Sequence, residues 1–267
     1  MNRISKLWKR CLSFGAVCTL MFAFIGCNDS PDKSLQVKAI RKRGILCVGT
    51  QLDIPRLSYL NRETNELEGF EIDLARSIAE AILDNREAVA FTGATPQLRG
   101  PLLDNGDVDM IIGTYTITEE RKKHYNFTFP YYADEVGLLV RKDSGLTGLA
   151  DMHGKICGIV KKSTIQEAST KAAKQLGVEL RYAEFSSYPE IMDALLIGMV
   201  DVFSTNRSIL WGYVNEDTLL LAESFDPRVY GIATKLENDQ LAAYLDTLVI
   251  RMHQDGTLAA LVNKWGL

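Results

Sequence analysis

The chain has 267 residues, 46% of them hydrophobic and 24% charged, which excludes a disordered, collagen-like or coiled-coil chain and leaves room for one large domain or two. Its 30 Lys and Arg are outnumbered by 34 Asp and Glu, so it lacks the basic excess of a general nucleic-acid binder. Five cysteines without a CxxC pair argue against a zinc ribbon or a thioredoxin site.

Residues 1–26 read as a signal peptide of the lipoprotein type. Arg3, Lys6, Lys9 and Arg10 form a basic start with no acid, and an apolar run follows from Cys11 to Gly26. At about 16 residues that run is shorter than the ~20 needed to span a bilayer. It ends Phe24-Ile25-Gly26-Cys27, which resembles a bacterial lipobox with Phe24 where Leu is usual, so Cys27 is the expected lipidation site. Residues 27–33, polar and containing Pro31, read as a tether.

Strands and helices then alternate. Ile45 to Thr50 reads as a strand. A helix opens at Gly69, with Ile72, Ala75, Ile78, Ala79 and Ile82 on one buried face. Val89 to Phe91 is a strand, Leu98 to Leu103 a short helix, and Val108 to Ile112 a buried strand. Thr118 caps a helix reaching Lys123, with Glu119 and Glu120 at its positive end. Val136 to Arg141 and Ile156 to Val160 are strands. Ser163 and Gln166 form a capping box that opens the next helix. Arg181 to Phe185, Val200 to Ser204 and Val229 to Ala233 are strands, and Tyr188 to Gly198 is a helix. Two helices, Asp239 to His253 and Thr257 to Trp265, close the chain around Asp255-Gly256. This alternation points to an α/β protein with parallel sheets.

Nucleotide loops, HExxH and GxSxG motifs are absent. His124, His153 and His253 read as surface residues, and Cys47 and Cys157 as buried thiols acting as small hydrophobes. No catalytic residue, metal ligand or cofactor site is expected. The informative stretch is Asp109 to Arg121. There a buried strand ends in hydroxyls, and a capped helix carries Arg121 in its first turn. Ligands sit at such strand ends. Thr114 and Thr116 are expected on one side of an extended segment. Arg121 offers a planar fork that matches a carboxylate.

These signposts carry a resemblance. Gly69 to Ala75, Thr116 to Arg121, Phe127 to Tyr132 and Leu149 to Lys155 resemble the type 2 extracytoplasmic solute-binding proteins, family 3, of amino-acid ABC transporters. Arg99 to Gly106, Tyr188-Pro189, Ser208 to Leu210 and Lys264 to Leu267 add a likeness to aspartate- and glutamate-binding members. The resemblance implies a two-lobed periplasmic-binding-protein fold with two mixed sheets joined by two crossing strands. Lobe 1 is expected at 34–133 plus 229–267, and lobe 2 at 134–228. It further implies that Arg121 binds a ligand α-carboxylate with Thr116 and the backbone at Gly113 and Thr114. Ser163 and Thr164, at a helix start, would add N–H donors. Arg99 would read a side-chain carboxylate, and Tyr188 would line the cleft. Asn206 stands where the family has an Asp for the α-ammonium, and Gln51 where acidic-ligand members have a Lys.

The expected function is capture of an acidic amino acid outside the cytoplasmic membrane, by a lipid-anchored monomer that serves a permease and its ATPase. Alternatives are a cyclohexadienyl dehydratase-like enzyme, a ligand sensor, and a receptor for a solute without an ordinary α-ammonium.

Overall fold

The structure is a computed structural model and describes residues 34–267; the leader, Cys27 and the tether lie outside the described residues. The first helix, α1 (Leu35–Arg43), has Ser34 as N-cap and ends at Gly44 in the left-handed region. It was not expected from the sequence, because its apolar side chains are few and only Val37 and Ile40 are buried.

One lobe is built on a five-stranded sheet. Its strands are β1 (Leu46–Thr50), β5 (Val89–Gly93), β6 (Met110–Ile111), β7 (Tyr125–Phe127) and β14 (Ala233–Lys235). The order is β5-β1-β6-β14-β7, with β5, β1 and β6 parallel. Helix α2 (Phe70–Leu83) covers this sheet, burying Ile72, Ala75, Ile78, Ala79 and Ile82 as its periodicity predicts, and Phe70 and Leu74 as well. Its entry is fixed by Gly69 at φ 131°, where a Cβ would lie 2.3 Å from the Leu57 carbonyl oxygen. A small antiparallel sheet missed by the sequence reading precedes α2: β2 (Asp53–Ile54), β3 (Ser58–Asn61) and β4 (Glu66–Glu68). These strands are short and polar, so they carry no alternation to read.

The other lobe carries β8 (Tyr132–Arg141), β9 (Ile156–Val160), β10 (Arg181–Phe185), β11 (Val202–Asn206) and β12 (Thr218–Leu220) in the order β10-β9-β11-β8-β12. Helices α5 (Ile165–Gln175) and α6 (Tyr188–Leu196) pack on this sheet. Strand β13 (Phe225–Tyr230) returns antiparallel to β8, with Arg228 opposite Asp134 and Tyr230 opposite Tyr132. β8 and β13 are therefore the two strands that pass between the lobes. The sequence reading of a single strand from Val229 to Ala233 is corrected. The segment breaks at Gly231 and Ile232, so β13 belongs to the crossing pair and β14 to the five-stranded sheet.

After the short helix α7 (Arg207–Trp211) that follows β11, helices α8 (Asp239–Gln254) and α9 (Thr257–Trp265) return to the first lobe. Asp73 ties α9 to α2, accepting from Lys264 Nζ at 2.6 Å and Trp265 Nε1 at 2.8 Å. No described helix is long and apolar enough to cross a membrane. Cys157 is buried and Cys47 only partly so, and both are free thiols. The expectation of two buried thiols is corrected at Cys47, which lies toward Arg43 and Asp109.

Candidate functional site

The site lies where the C-terminal ends of β1 and β6 face the start of α5, α6 and the end of β11. After β6 the chain passes Gly113 and reaches Thr114, a non-glycine residue at φ 47°. That conformation costs on the order of 1 kcal/mol and persists where its surroundings enforce it. Here Thr114 N donates to Glu71 Oε1 at 2.6 Å, and its hydroxyl accepts from Gln51 Nε2 at 2.8 Å. Thr114 therefore turns out of the extended path, and the expected alternation with Thr116 does not hold. Glu71 is fully buried in α2 and also receives Tyr131 Oη at 2.5 Å and Ser58 Oγ at 3.2 Å. Burial foremost raises its carboxyl above the ordinary range, against the lowering effect of these donors.

Tyr115 presents its ring to two arginines. The guanidinium carbon of Arg99 lies 4.1 Å from the ring centroid and that of Arg121 4.7 Å. Arg99, the first residue of α3 (Arg99–Asn105), donates Nη1 to the Gly113 carbonyl at 2.9 Å. Its Nε is buried without a partner. Arg121 lies in α4 (Glu119–Lys122), where the Thr118 hydroxyl accepts from Arg121 N as expected of the N-cap. Its Nη1 donates to the Thr116 carbonyl at 2.6 Å. Burial first, and the neighbouring Arg99 second, push Arg121 down to about 10, which leaves it a cation at neutral pH. Burial likewise lowers Arg99. Among the described residues no carboxylate lies within ion-pair distance of either one.

The second lobe supplies the opposite wall. Tyr188, at the start of α6, is buried, and its hydroxyl faces Gln51 and Thr205, so Gln51 and Tyr188 meet across the lobes. Thr164 is the N-cap of α5, and its hydroxyl accepts from Arg228 Nη1 at 2.8 Å. The expected capping box on Ser163 is not formed. Ser163 Oγ donates instead to the Val160 carbonyl at 2.7 Å, because Lys162, in the left-handed region at φ 61°, turns the chain there. Asn206 ends β11, is buried, and donates Nδ2 to Tyr230 Oη, leaving its Oδ1 without a partner. Thr116, Thr164, Asp134 and Arg228 line a groove of about 810 Å³ along the crossing strands.

Of the sequence-predicted residues, the structure gathers Gln51, Arg99, Gly113, Thr114 and Arg121 in one lobe. Tyr188, Thr164 and Asn206 stand on the other, and the Ser163 hydroxyl is taken up by the Val160 carbonyl. The sequence reading missed Glu71, Tyr115 and Arg228. Glu71 and Tyr115 lay inside quoted motifs, but their partners are distant in sequence, and nothing in the local pattern marks Arg228. His124, His153 and His253 are exposed as expected. Among the described residues no cluster of His, Cys, Asp and Glu could hold a metal ion.

Residues 46–267 match the bacterial extracellular solute-binding proteins, family 3, and the chain belongs to that family. It is 32% identical over 249 residues to the glutamine-binding protein of Geobacillus stearothermophilus, covering 86% of this chain and 94% of that one. It is 27% identical over 263 residues to the glutamate-binding protein GluB of Corynebacterium glutamicum, with 94% and 88% covered. Among solved structures, an ancestral arginine-binding protein bound to arginine aligns with a TM-score of 0.73 and 32% identity, covering 84% of this chain and 98% of that one.

Proposed function

We propose that this protein is the binding component of an ABC importer for an acidic amino acid, and that it closes its two lobes over one ligand. The single observation that carries this reading is the pair of guanidinium groups, Arg99 and Arg121, held over one tyrosine ring with no carboxylate in ion-pair contact, although the field of buried Glu71 reaches Arg99. Removing such cations from water costs several kcal/mol each unless a counter-charge is present. A solute with two carboxylates supplies it.

In this reading Arg121 takes the α-carboxylate, together with the N–H groups at the start of α5 next to Thr164. Arg99, with its orphaned Nε, takes the side-chain carboxylate. The free Oδ1 of Asn206 accepts from the α-ammonium, and this unsatisfied acceptor favours an amino acid over a solute without an amine. Gln51, Gly113, Thr114, Thr116 and Tyr188 shape the walls. The glutamate-binding relative supports an acidic ligand, and the relatives' names support binding without turnover. A lipid on Cys27 would hold the monomer at the outer face of the membrane beside its permease and ATPase. That part rests on the leader sequence.

A thermal-shift screen of the protein against all amino acids and small dicarboxylates tests the reading. A ligand at about 100 times its Kd adds ~2.7 kcal/mol of stability. Aspartate or glutamate is expected to give the largest shift. A largest shift with arginine or an aliphatic amino acid would contradict it.

A further inference from the structure

Three buried polar residues converge where β11, β8 and β13 meet: Asn206, Asp134 and Tyr230. Tyr230 Oη donates to Asp134 Oδ2 at 2.7 Å and accepts from Asn206 Nδ2. The direction of this chain is fixed by counting protons. Every other group on Asp134 is a donor: Ser208 N at 3.2 Å and Ser208 Oγ at 2.5 Å on Oδ2, and Glu135 N at 2.8 Å on Oδ1. Tyr230 is fully buried, and its phenol is held well above its ordinary value, by burial first and then by the Asp134 charge. It therefore keeps its one proton, and that proton is used on Asp134. The Tyr230 oxygen can then only accept, so the Asn206 amide must turn its NH₂ toward Tyr230. Its carbonyl oxygen is left buried and without a partner.

We propose that Asp134 is the acidic residue of the ammonium subsite, acting through Tyr230 and Asn206 rather than by contact with the ligand. Hydrogen bonds in series polarise one another, so a carboxylate at one end makes the terminal carbonyl a better acceptor for a cation. The chain also fixes which end of the Asn206 amide the ligand meets. Because Asp134 and Tyr230 stand on the two crossing strands, the subsite takes its charge from the hinge. Asp134 and Tyr230 are thus positioning residues. The inference rests on the amino-acid reading above.

The test compares a ligand with its des-amino analogue. Affinities of wild type, Asp134→Asn, Tyr230→Phe and Ser208→Ala are measured by calorimetry for L-glutamate and for glutarate. Asp134→Asn is expected to weaken glutamate by about tenfold or more while glutarate stays within about twofold. Tyr230→Phe is expected to reproduce the split. It keeps the ring, whose centroid lies 5.8 Å from that of Tyr132, and so carries the test if Asp134→Asn does not fold. Ser208→Ala removes a hydroxyl that touches both Asp134 and Tyr230 but keeps the Asp134–Tyr230–Asn206 chain, so it is expected to shift the glutamate-to-glutarate ratio less than Asp134→Asn does, and a larger shift would overturn the relay. Equal losses for both ligands in Tyr230→Phe would overturn the relay and make these residues merely structural. Wild-type binding of glutarate as tight as that of glutamate would overturn the ammonium contact and the relay with it, while leaving an acidic solute in place. Wild-type preference for L-glutamine over L-glutamate would instead overturn the acidic reading. The same variants are then read with glutamine against 4-carbamoylbutanoate, where the same split supports the relay and equal losses overturn it.

Discussion

Glu71 accepts a 2.6 Å hydrogen bond from the backbone N–H of Thr114, and this bond holds the chain in its left-handed turn at the floor of the cleft. The same carboxyl receives Tyr131 and Ser58, so one buried acid of α2 organises the segment that leads to Arg121. Glu71→Ala leaves three buried donors without an acceptor, each costing about 1–3 kcal/mol, so unfolding by denaturant should show a loss of roughly 3 kcal/mol or more. An unchanged midpoint would remove Glu71 from this role.

The sign of the pH dependence at Glu71 follows from its raised carboxyl. A group whose folded value lies above its unfolded value contributes its stability fully below the ordinary 4.5 and loses it as pH rises through the folded value. The stability of wild type relative to Glu71→Gln should therefore fall as pH rises from the ordinary carboxyl range. Parallel stability curves for the two proteins would show that burial does not dominate there.

Arg121→Ala should abolish ligand binding with the fold intact, because α4 is short and the side chain donates only to the neighbouring Thr116 carbonyl. Calorimetry with circular dichroism checks both halves. Wild-type affinity in a native-like variant would sink the carboxylate assignment.

Arg99→Leu separates ligand classes. It should weaken aspartate and glutamate far more than neutral amino acids. Equal losses for both classes would place Arg99 on the shared part of the ligand.

The lobes also touch beside Tyr188. Tyr213 Oη donates to the Asp53 carbonyl, and a Cβ on Gly212 would lie 2.8 Å from the Pro55 carbonyl oxygen. Gly212→Ala should therefore disfavour closure and weaken binding severalfold, corresponding to about 1 kcal/mol. Small-angle scattering with ligand titration reads this. Unchanged affinity would mean that this contact does not report closure.

The alternation of strands and helices was legible because Ile72, Ala75, Ile78, Ala79 and Ile82 keep one helical face, and because Ile45 to Thr50 and Ile156 to Val160 are short apolar runs between turns. The Arg121 segment was legible because cap, hydroxyls and guanidinium are neighbours in sequence. The Glu71–Thr114 bond and the Asp134–Tyr230–Asn206 chain were not, since each joins residues brought together only by the sheet order. Ser163 misled for a related reason: its spacing to Gln166 suits a capping box, but the turn at Lys162 places Thr164 at the helix start instead.

The most direct measurement is calorimetric titration of the protein with L-glutamate, L-aspartate, L-glutamine and L-arginine under identical conditions. One site per chain and tightest binding for an acidic amino acid are expected, lost in Arg121→Ala and selectively weakened in Arg99→Leu. Tightest binding of arginine or glutamine, with the acids silent, would contradict this expectation.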